Sequence, residues 1–592
     1  MDITFLSGET LYKAFISGTM EVKRNKNKLN RMNVFPIPDG DTGSNLLYTM
    51  ESIITETKHQ ESMKKTLDSM AKAALGGARG NSGIIFAQFL HGINEEFKDF
   101  ENCTIKSFAE TLKKAVPYAY NAILNPIEGT MITVIREWVE AIYHLKDVRI
   151  TFEEMITQAL DAARKALENT PNQLSTLKKA SVVDSGGNGF VLFLEGMVNF
   201  LQRKEVEQLP EYEEEAVTEE NFVLTEQLQY RYCTEAFLTN ITTDSSKIKQ
   251  AIKGLGDSLI VAGSKENMRV HIHTNEPDKL FSILRGHGSI LQQKVDDMKK
   301  QFQTAHQRLH KIALLTDSIA DLPDTLIDQY QIHVIPLNLM LEGSSYLDKV
   351  TIKPDCFYSL LDQLNEYPTS SQPTQAYIDN LFSFLSSHYD SIIAMIVSKE
   401  MSGTFQVVKK ASEKLIKDGY PIAVIDTKQN SGAEGLLVLH AAKALEQGKG
   451  HEEIVNLIEY TLQKTKIYVS INTFKYMVKG GRVSKAIGIL GKLLNIKPII
   501  SIDENGKGIA FGKAFSSKSN IKKILQLVTE DHQENRIKSY CVVHAHAPQR
   551  ATLIGDQLTG LLGKAPDYIT EISPIVGLNA GKGAVAVAYI ME

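Results

Sequence analysis

Through its first 200 residues the chain repeats apolar side chains every three or four positions and almost never every two. Leu11, Phe15 and Ile16 share one helical face, as do Leu46, Met50, Ile53 and Ile54. The same period runs through Met63 to Leu75, Gly83 to Phe97, Phe108 to Leu124, Met131 to Leu145 and Phe152 to Leu167. With no alternating segment to build strands, these stripes can be buried only helix against helix, so an all-α architecture is expected. Glycines gather between the helices, in Gly76 to Gly83 and in Asp184 to Gly189, which points to a ligand held by loops at one end.

The pattern then changes twice. Residues 203–221 are rich in Glu and poor in apolar side chains, as in a solvated linker. Within 222–310, strand-like alternation covers Phe222 to Leu224, Tyr230 to Leu238, Ser258 to Ala262 and Met268 to His273. Helical patterns at Ser245 to Leu255 and Asp278 to Arg285 complete a small α+β domain. Lys294 to Leu309 is charged, and is expected to be a helix bridging to the last domain. Residues 311–592 repeat strand-then-helix units, with strands at Ile312 to Leu315, His333 to Pro336, Ser391 to Val397, Ile422 to Ile425, Ile467 to Ile471, Ser539 to His544 and Ala584 to Ile590. That succession predicts a parallel α/β sheet, with ligands at the loops that follow its strands.

Composition excludes several classes. A net charge of −5 with no basic stripe speaks against a nucleic-acid partner. Cys103, Cys233, Cys356 and Cys541 are too sparse for a disulfide framework and suit a reducing cytosol. No apolar run approaches the ~20 residues of a membrane span. Met1-Asp2-Ile3-Thr4 lacks the basic start of a signal peptide, and a cytoplasmic location is expected.

The densest chemistry lies in Asn33-Val34-Phe35-Pro36-Ile37-Pro38-Asp39-Gly40-Asp41-Thr42-Gly43-Ser44-Asn45. Asp39 and Asp41 are hard oxygen ligands, one glycine apart, just before a helix start. The helix offers free N–H groups to an anion, so a metal–triphosphate site is one reading and an ordinary Asp/Gly turn the other. In the middle segment, Val270-His271-Ile272-His273 puts two histidines on one strand face, with Cys233 on a neighbouring strand. These could make a three-ligand metal site, or a pair of histidines beside a buried cysteine.

Four motifs in order, N-V-F-P-x-P-D-G-D-T-G-S-N, G-A-R-G-N-S-G, E-G-T-M and D-S-G-G-N-G, resemble the nucleotide-binding DhaL domain of dihydroxyacetone kinases, in the branch found in bacterial fatty acid kinases. The resemblance covers residues 1–202 and implies an antiparallel helical barrel binding Mg·ATP at its loop end. Asp39 and Asp41 would then be the catalytic metal-holding pair. Asn33 stands where dihydroxyacetone kinases have a third aspartate. Ser44, Asn45, Gly80, Asn81, Ser82 and Gly83 would meet the phosphates, and Thr130, Met131, Asp184 and Gly187 would line the nucleotide. For residues 222–310 the resemblance to the fatty acid kinase middle domain implies Zn²⁺ on Cys233, His271 and His273.

Residues 311–592 resemble the DegV family of fatty-acid-binding proteins through Thr316-Asp317-Ser318, Thr369-Ser370-Ser371-Gln372-Pro373, Ser402-Gly403-Thr404-Phe405-Gln406, Lys479-Gly480-Gly481-Arg482-Val483-Ser484 and Leu493-Leu494-Asn495-Ile496-Lys497-Pro498. The resemblance implies an acyl tunnel with its carboxylate among Ser318, Ser370, Ser371, Ser402, Gly403, Thr404, Arg482 and Asn579. Two positions depart from the family. Asn579 replaces a histidine, and Phe515 stands where a basic residue is usual. Losing a charge-assisted bond weakens head-group binding by about 1.5–3 kcal/mol, which Lys582 could offset.

Together the resemblances imply ATP-dependent phosphorylation of a fatty acid held by the fused last domain, giving an acyl phosphate. The other expectations weighed are a non-catalytic lipid-binding or regulatory protein and a dihydroxyacetone-type small-molecule kinase. The partners implied are a fatty acid or related acyl lipid, and a separate DegV-type carrier or acyltransferase. A homodimer is left open.

Overall fold

The computed structural model describes residues 5–35, 40–58, 62–98, 103–203, 229–481 and 496–592. Asp39, Arg482, most of the acidic stretch 203–221 and the expected strand Phe222 to Leu224 lie outside the described residues. The chain divides into two units, Met1–Gln301 and Phe302–Glu592.

The first unit opens with α1 (Gly8–Arg24), α2 (Lys26–Arg31), α3 (Thr42–Glu56), α4 (Met63–Gly77), α5 (Gly80–Glu96), α6 (Ile105–Ala122), α7 (Met131–Leu145), α8 (Phe152–Glu168), α9 (Thr170–Gln173), α10 (Ser175–Ala180) and α11 (Ser185–Arg203). Local sequence sets their starts. Ser7 caps α1 by accepting the Thr10 N–H at 3.1 Å. Thr151 and Glu154 form a reciprocal capping box on α8, at 2.8 and 3.2 Å. Beyond that cap, α8 buries Phe152, Met155, Ile156, Ala159, Leu160 and Ala163 on one stripe. An aromatic cluster fills the middle of the bundle. The Phe86 ring lies 5.9, 6.4 and 5.3 Å from those of Phe15, Phe190 and Phe193, and Trp138 lies 5.6 Å from Phe190.

The same unit continues with β1 (Tyr232–Thr239), α12 (Ser245–Ile252), β2 (Gly256–Gly263), β3 (Asn267–Thr274), α13 (Pro277–Arg285) and β4 (Ser289–Asp297), and the boundary at Gln301 falls within α14 (Met298–His306). Its strands form an antiparallel sheet in the order β2-β3-β1-β4. This sheet is joined to the helices rather than tethered beside them. Leu124 N–H donates to the Leu259 carbonyl at 3.0 Å, and Ile260 and Ala262 are buried in the helical core.

One expectation is corrected here. The charged stretch from Lys294 is not helical at its start: Lys294 to Asp297 complete β4, and the helix begins at Met298. In β4, Lys294 stands opposite Glu235 and Asp296 opposite Cys233. Cross-strand pairing satisfies the charges that make the segment resemble a solvated helix face.

The second unit contains β5 (Ile312–Asp317), β6 (His333–Ile335), β7 (Asn338–Leu341), β8 (Ser344–Leu347), β9 (Thr369–Ser371), β10 (Ser391–Ile396), β11 (Ile422–Asp426), β12 (Thr465–Ser470), β13 (Lys497–Ile502), β14 (Gly508–Ala514), β15 (Ile537–His544), β16 (Tyr568–Glu571) and β17 (Val585–Met591). The expected parallel sheet is present in the order β11-β10-β5-β6. A second, six-stranded sheet, β14-β13-β12-β17-β15-β16, is antiparallel except for the pair β15–β16. The expected parallel pairing fails for the strands at Ile467, Ser539 and Ala584, because β17 pairs antiparallel with both β12 and β15. Next to them, β13 and β14 are joined by the tight turn Asp503 to Lys507, closed by the Asp503 N–H to Lys507 carbonyl bond at 2.9 Å. No crossover helix separates them, so they pair head to tail. A small antiparallel sheet, β8-β7-β9, completes the unit. Among the described residues no helix is long and apolar enough to cross a membrane.

The chain has one tryptophan, Trp138, so its fluorescence reports on the helical bundle alone. Phe86→Ala is expected to destabilise that bundle by about 3–5 kcal/mol, as for other buried aromatic truncations. Urea unfolding followed at Trp138 measures it, and an unchanged midpoint would contradict the aromatic core.

Candidate functional site

Four helices begin at one end of the bundle. Asp41 occupies the cap position of α3, and its side chain makes no capping bond to that helix. Asn30 fixes the first turn of α3, accepting the Ser44 N–H at 3.0 Å and donating Nδ2–H to the Ser44 hydroxyl at 2.9 Å. Asn33, just ahead, is buried.

The start of α5 packs on α3 through Gly80, whose φ is +59° and whose added Cβ would lie 2.5 Å from Asn45 Nδ2. Only glycine meets both demands. Arg79 N–H donates to the Thr49 hydroxyl at 3.1 Å. Asn81 Oδ1 is buried with no hydrogen-bond partner among the described residues. Ser82 faces α11 so closely that a Cβ on Gly186 would sit 2.5 Å from its Oγ.

Asp184 ties α11 to α7. Its carboxylate accepts the Gly187 N–H at 2.7 Å and the backbone of Met131, the first residue of α7. Burial nonetheless pushes Asp184 up to about 6, against the pull of those two amides. Thr130 precedes Met131 in extended conformation, with its hydroxyl on the Ile127 carbonyl at 2.8 Å. The structure therefore brings together Asn33, Asp41, Ser44, Asn45, Gly80, Asn81, Ser82, Gly83, Thr130, Met131, Asp184 and Gly187 at adjoining helix starts. Such helix starts carry unpaired N–H groups that favour an anion.

The middle sheet turns a polar face toward these loops. Cys233 stands opposite His273 on β3 and Asp296 on β4, while Glu235 stands opposite His271 and Lys294. Residues two apart share a face, so these six side chains form two ranks across three strands. Ligand atoms of Cys233, His271 and His273 all lie within 4.8 Å of one another, and all three residues are buried. Neither His271 ring nitrogen has a hydrogen-bond partner among the described residues, nor has His273 Nδ1.

Each histidine also presents Nδ1 to a carboxylate, His271 to Glu235 Oε1 at 3.5 Å and His273 to Asp257 Oδ1 at 3.4 Å. Carboxylate-backed histidines with one thiol are the donor set that suits Zn²⁺. Burial pushes the Cys233 thiol well up and His273 down, so a thiolate there needs a cation beside it.

The cluster stands beside the helix starts of the bundle. The charge of Asp41 reaches Cys233, His273 and Lys294. Glu235 Oε1 accepts the Gly80 N–H at 2.6 Å. Arg269, buried and over the Phe237 ring at 5.0 Å, donates to the Leu75 carbonyl at 3.4 Å and to the Gly76 carbonyl. Glu235, Lys294, Arg269 and Asn30 are the site residues that sequence reasoning missed. Glu235 was legible in part, since it lies two residues from Cys233 on the same strand face.

In the second unit, β9 carries Ser370 and Ser371, both exposed. Their loop adjoins Ser402–Thr404, because a Cβ on Gly403 would meet the Gln372 side chain at 1.9 Å. Ser402 Oγ and Thr404 Oγ1 are 2.9 Å apart. Asn579 lies against Gly480, and its Oδ1 is buried with no partner among the described residues. Ser318 directly follows β5. It is buried, and its hydroxyl donates to Asp348 at 2.7 Å and accepts the Leu337 N–H at 3.2 Å. Phe515 is 71% exposed.

Three family models match successive stretches: the DAK2 domain over residues 36–199, the fatty acid kinase-like middle domain over 229–305, and the DegV family over 311–592. The chain is thus a fusion of a DhaL-type domain and its kinase-type middle domain with a DegV domain. An uncharacterized protein of Staphylococcus saprophyticus is 31% identical over 320 residues, 52% of this chain and 58% of its own. Protein YloV of Bacillus subtilis is 30% identical over 315 residues, 51% of this chain and 57% of its own. The chain therefore spans little more than half the length of the curated relatives it matches. Among solved structures, the fatty acid binding protein DegV from Bacillus subtilis is 28% identical with a TM-score of 0.44, covering 48% of this chain and 100% of that one. A fatty-acid-binding DegV family protein from Thermus thermophilus is 24% identical with a TM-score of 0.45, at the same coverages.

Two measurements test this geometry. Wild-type protein is expected to hold one Zn²⁺ in the Cys233 cluster and His271→Ala to lose it, read by elemental analysis after gel filtration. Burial raises Asp317 to about 6 and Asp348 to about 7. Their protonated forms favour the folded state, an effect complete below the unfolded carboxyl pKa of about 4 and lost as pH rises through those values. The second unit is therefore expected to melt several degrees lower at pH 8 than at pH 5 by calorimetry, with Asp348→Asn reducing that slope.

Proposed function

We propose that the chain is a self-contained acyl kinase that transfers the γ-phosphoryl group of Mg·ATP to the carboxylate of a fatty acid carried by its DegV domain. The observation that carries this reading is the convergence of Asp41, Ser44, Gly80, Ser82 and Asp184 at adjoining helix starts, in a stretch that matches a kinase-type family model. The fatty acid kinase-like middle domain and the DegV domain support the acceptor.

The chemistry asks little of the protein beyond position and charge. A fatty acid carboxylate is already ionised at neutral pH, so its oxygen attacks the γ-phosphorus without a general base while the bond to the bridging oxygen breaks and ADP leaves. Mg²⁺ supplies charge neutralisation along the triphosphate. Asp41, with Asp39 and Asn33, would hold it. Ser44, Asn45, Gly80, Asn81, Ser82 and Gly83 would orient the phosphates through hydroxyl, amide and N–H groups. Thr130, Met131, Asp184 and Gly187 would close the nucleotide end. Cys233, His271 and His273 would hold Zn²⁺ beside that site.

In the DegV domain, Ser370, Ser371, Ser402, Gly403, Thr404, Arg482 and Asn579 would receive the carboxylate, with Ser318 supporting them through Asp348. Fusion replaces an encounter between kinase and carrier by an effective concentration that can reach the millimolar range, about what short flexible linkers give.

The unpaired Asn579 Oδ1 and the exposed Phe515 favour a second reading, in which the chain binds lipid or nucleotide but acts on a separate carrier. One assay separates the two. Purified protein with Mg·ATP and long-chain fatty acids is expected to yield acyl hydroxamate when hydroxylamine traps the acyl phosphate. Asp41→Ala is expected to lower that product at least a hundredfold while bound lipid stays unchanged by mass spectrometry. Product that appears only after a separate carrier is added would favour the second reading.

A further inference from the structure

Glu235 is fully buried, and one of its oxygens meets two different parts of the molecule. Oε1 accepts the Gly80 N–H at 2.6 Å and lies 3.5 Å from His271 Nδ1. Oε2 has no hydrogen-bond partner among the described residues, and Arg79 Nη1 is 3.6 Å away. A buried carboxylate is costly unless cations and donors surround it. Lys294 stands opposite Glu235 on β4, and His271 stands opposite it on β3. The Glu235 carboxyl is therefore a strut between a strand of the middle domain and the first residue of α5.

Both ends of that strut matter. Gly80 opens the helix whose next residues, Asn81, Ser82 and Gly83, are placed to meet an anion. Its own N–H is taken by Glu235, so Glu235 fixes where the following amides point. At the other end, His271 is one of three donors clustered for a cation, and the orientation of its ring is set by what stands behind Nδ1. Cation occupancy and helix start are then two ends of one chain of contacts, His271 to Glu235 to Gly80.

We propose that Glu235 is a positioning residue that couples the Cys233–His271–His273 cluster to nucleotide binding, so that a divalent ion in the cluster tightens ATP at loops it does not touch. The inference rests on the kinase reading above. Linkage makes the coupling reciprocal, so ATP tightens the ion by the same factor. A carboxylate that merely neutralised its neighbours would stabilise the fold without producing that reciprocity.

The test uses the full chain, stripped of metal, with both ligands measured by calorimetry. Mg·ATP affinity is read with and without Zn²⁺, and Zn²⁺ affinity with and without Mg·ATP. In wild-type protein each ligand is expected to tighten the other by about 5- to 20-fold, the ordinary range of site-to-site coupling. Glu235→Gln keeps one acceptor but not the charge, and Glu235→Asp keeps the charge but not the reach. In each variant both ligands should still bind alone, while the coupling factor falls to about one. Coupling that survives in a folded variant, a factor of one in wild type with both ligands bound, or loss of fold in both variants would overturn the proposal. Wild-type protein that binds no nucleotide would overturn the kinase reading as well, which separates the two failures.

Discussion

Helices that start together at one end of a bundle leave their first N–H groups without internal partners, and whatever covers that end must be anionic or wet. In this chain the cover is the polar face of a four-stranded sheet. Glu235 takes the Gly80 N–H, Arg269 takes the carbonyls that end α4, and Asp41 stands within electrostatic reach of Lys294. The arrangement of the first unit follows from that requirement. A sheet docked by its apolar face would have left the helix starts dry and unpaired.

Strand alternation makes the two-faced sheet available. On β1 and β3 the side chains of Cys233, Glu235, His271 and His273 face one way, and those of Thr234, Ala236, Val270 and Ile272 face the other. Beyond the sheet, α12 and α13 bury Ile248, Ile252, Leu280, Phe281 and Leu284. On β1, β3 and β4 the opposite face is thereby released for charge and for donors suited to a cation, while Ile260 and Ala262 of β2 pack into the helical core on that same side. The second unit solves a related problem with buried acids. Asp321 joins Lys349 at 2.8 Å, the Ser431 hydroxyl at 2.6 Å and the Ser573 N–H at 2.8 Å, binding together segments remote in sequence.

Much of the fold was legible because its signals are local. The helical period from Met63 to Leu75 and from Met131 to Leu145 reads directly onto α4 and α7, since an amphipathic stripe and its caps lie within one segment. The strands around Tyr232 and Met268 are legible for the same reason. β4 is hidden because its charges are satisfied by partners on a strand remote in sequence, Glu235 above all. The antiparallel six-stranded sheet is hidden because pairing direction depends on which strands meet, and β17 inserts between β12 and β15 from the far end of the chain. At the site, Ser44 and Gly80 are recognisable as motif members, whereas the Asn30 and Glu235 that hold them carry no motif of their own.

By itself the sequence determined the three successive domain types, the glycine-rich loops between helices, and the histidine pair with its cysteine. Each of these is written in spacing along a short stretch. Only the tertiary structure decided that the cysteine–histidine cluster and the aspartate loop are neighbours. It also decided that a middle-domain glutamate occupies the N-terminus of a bundle helix, and that Ser318 spends its hydroxyl on Asp348. Those facts depend on which face of a sheet is buried against which helix ends. That choice is made by burial and charge satisfaction summed over the whole unit, which no local run of residues contains.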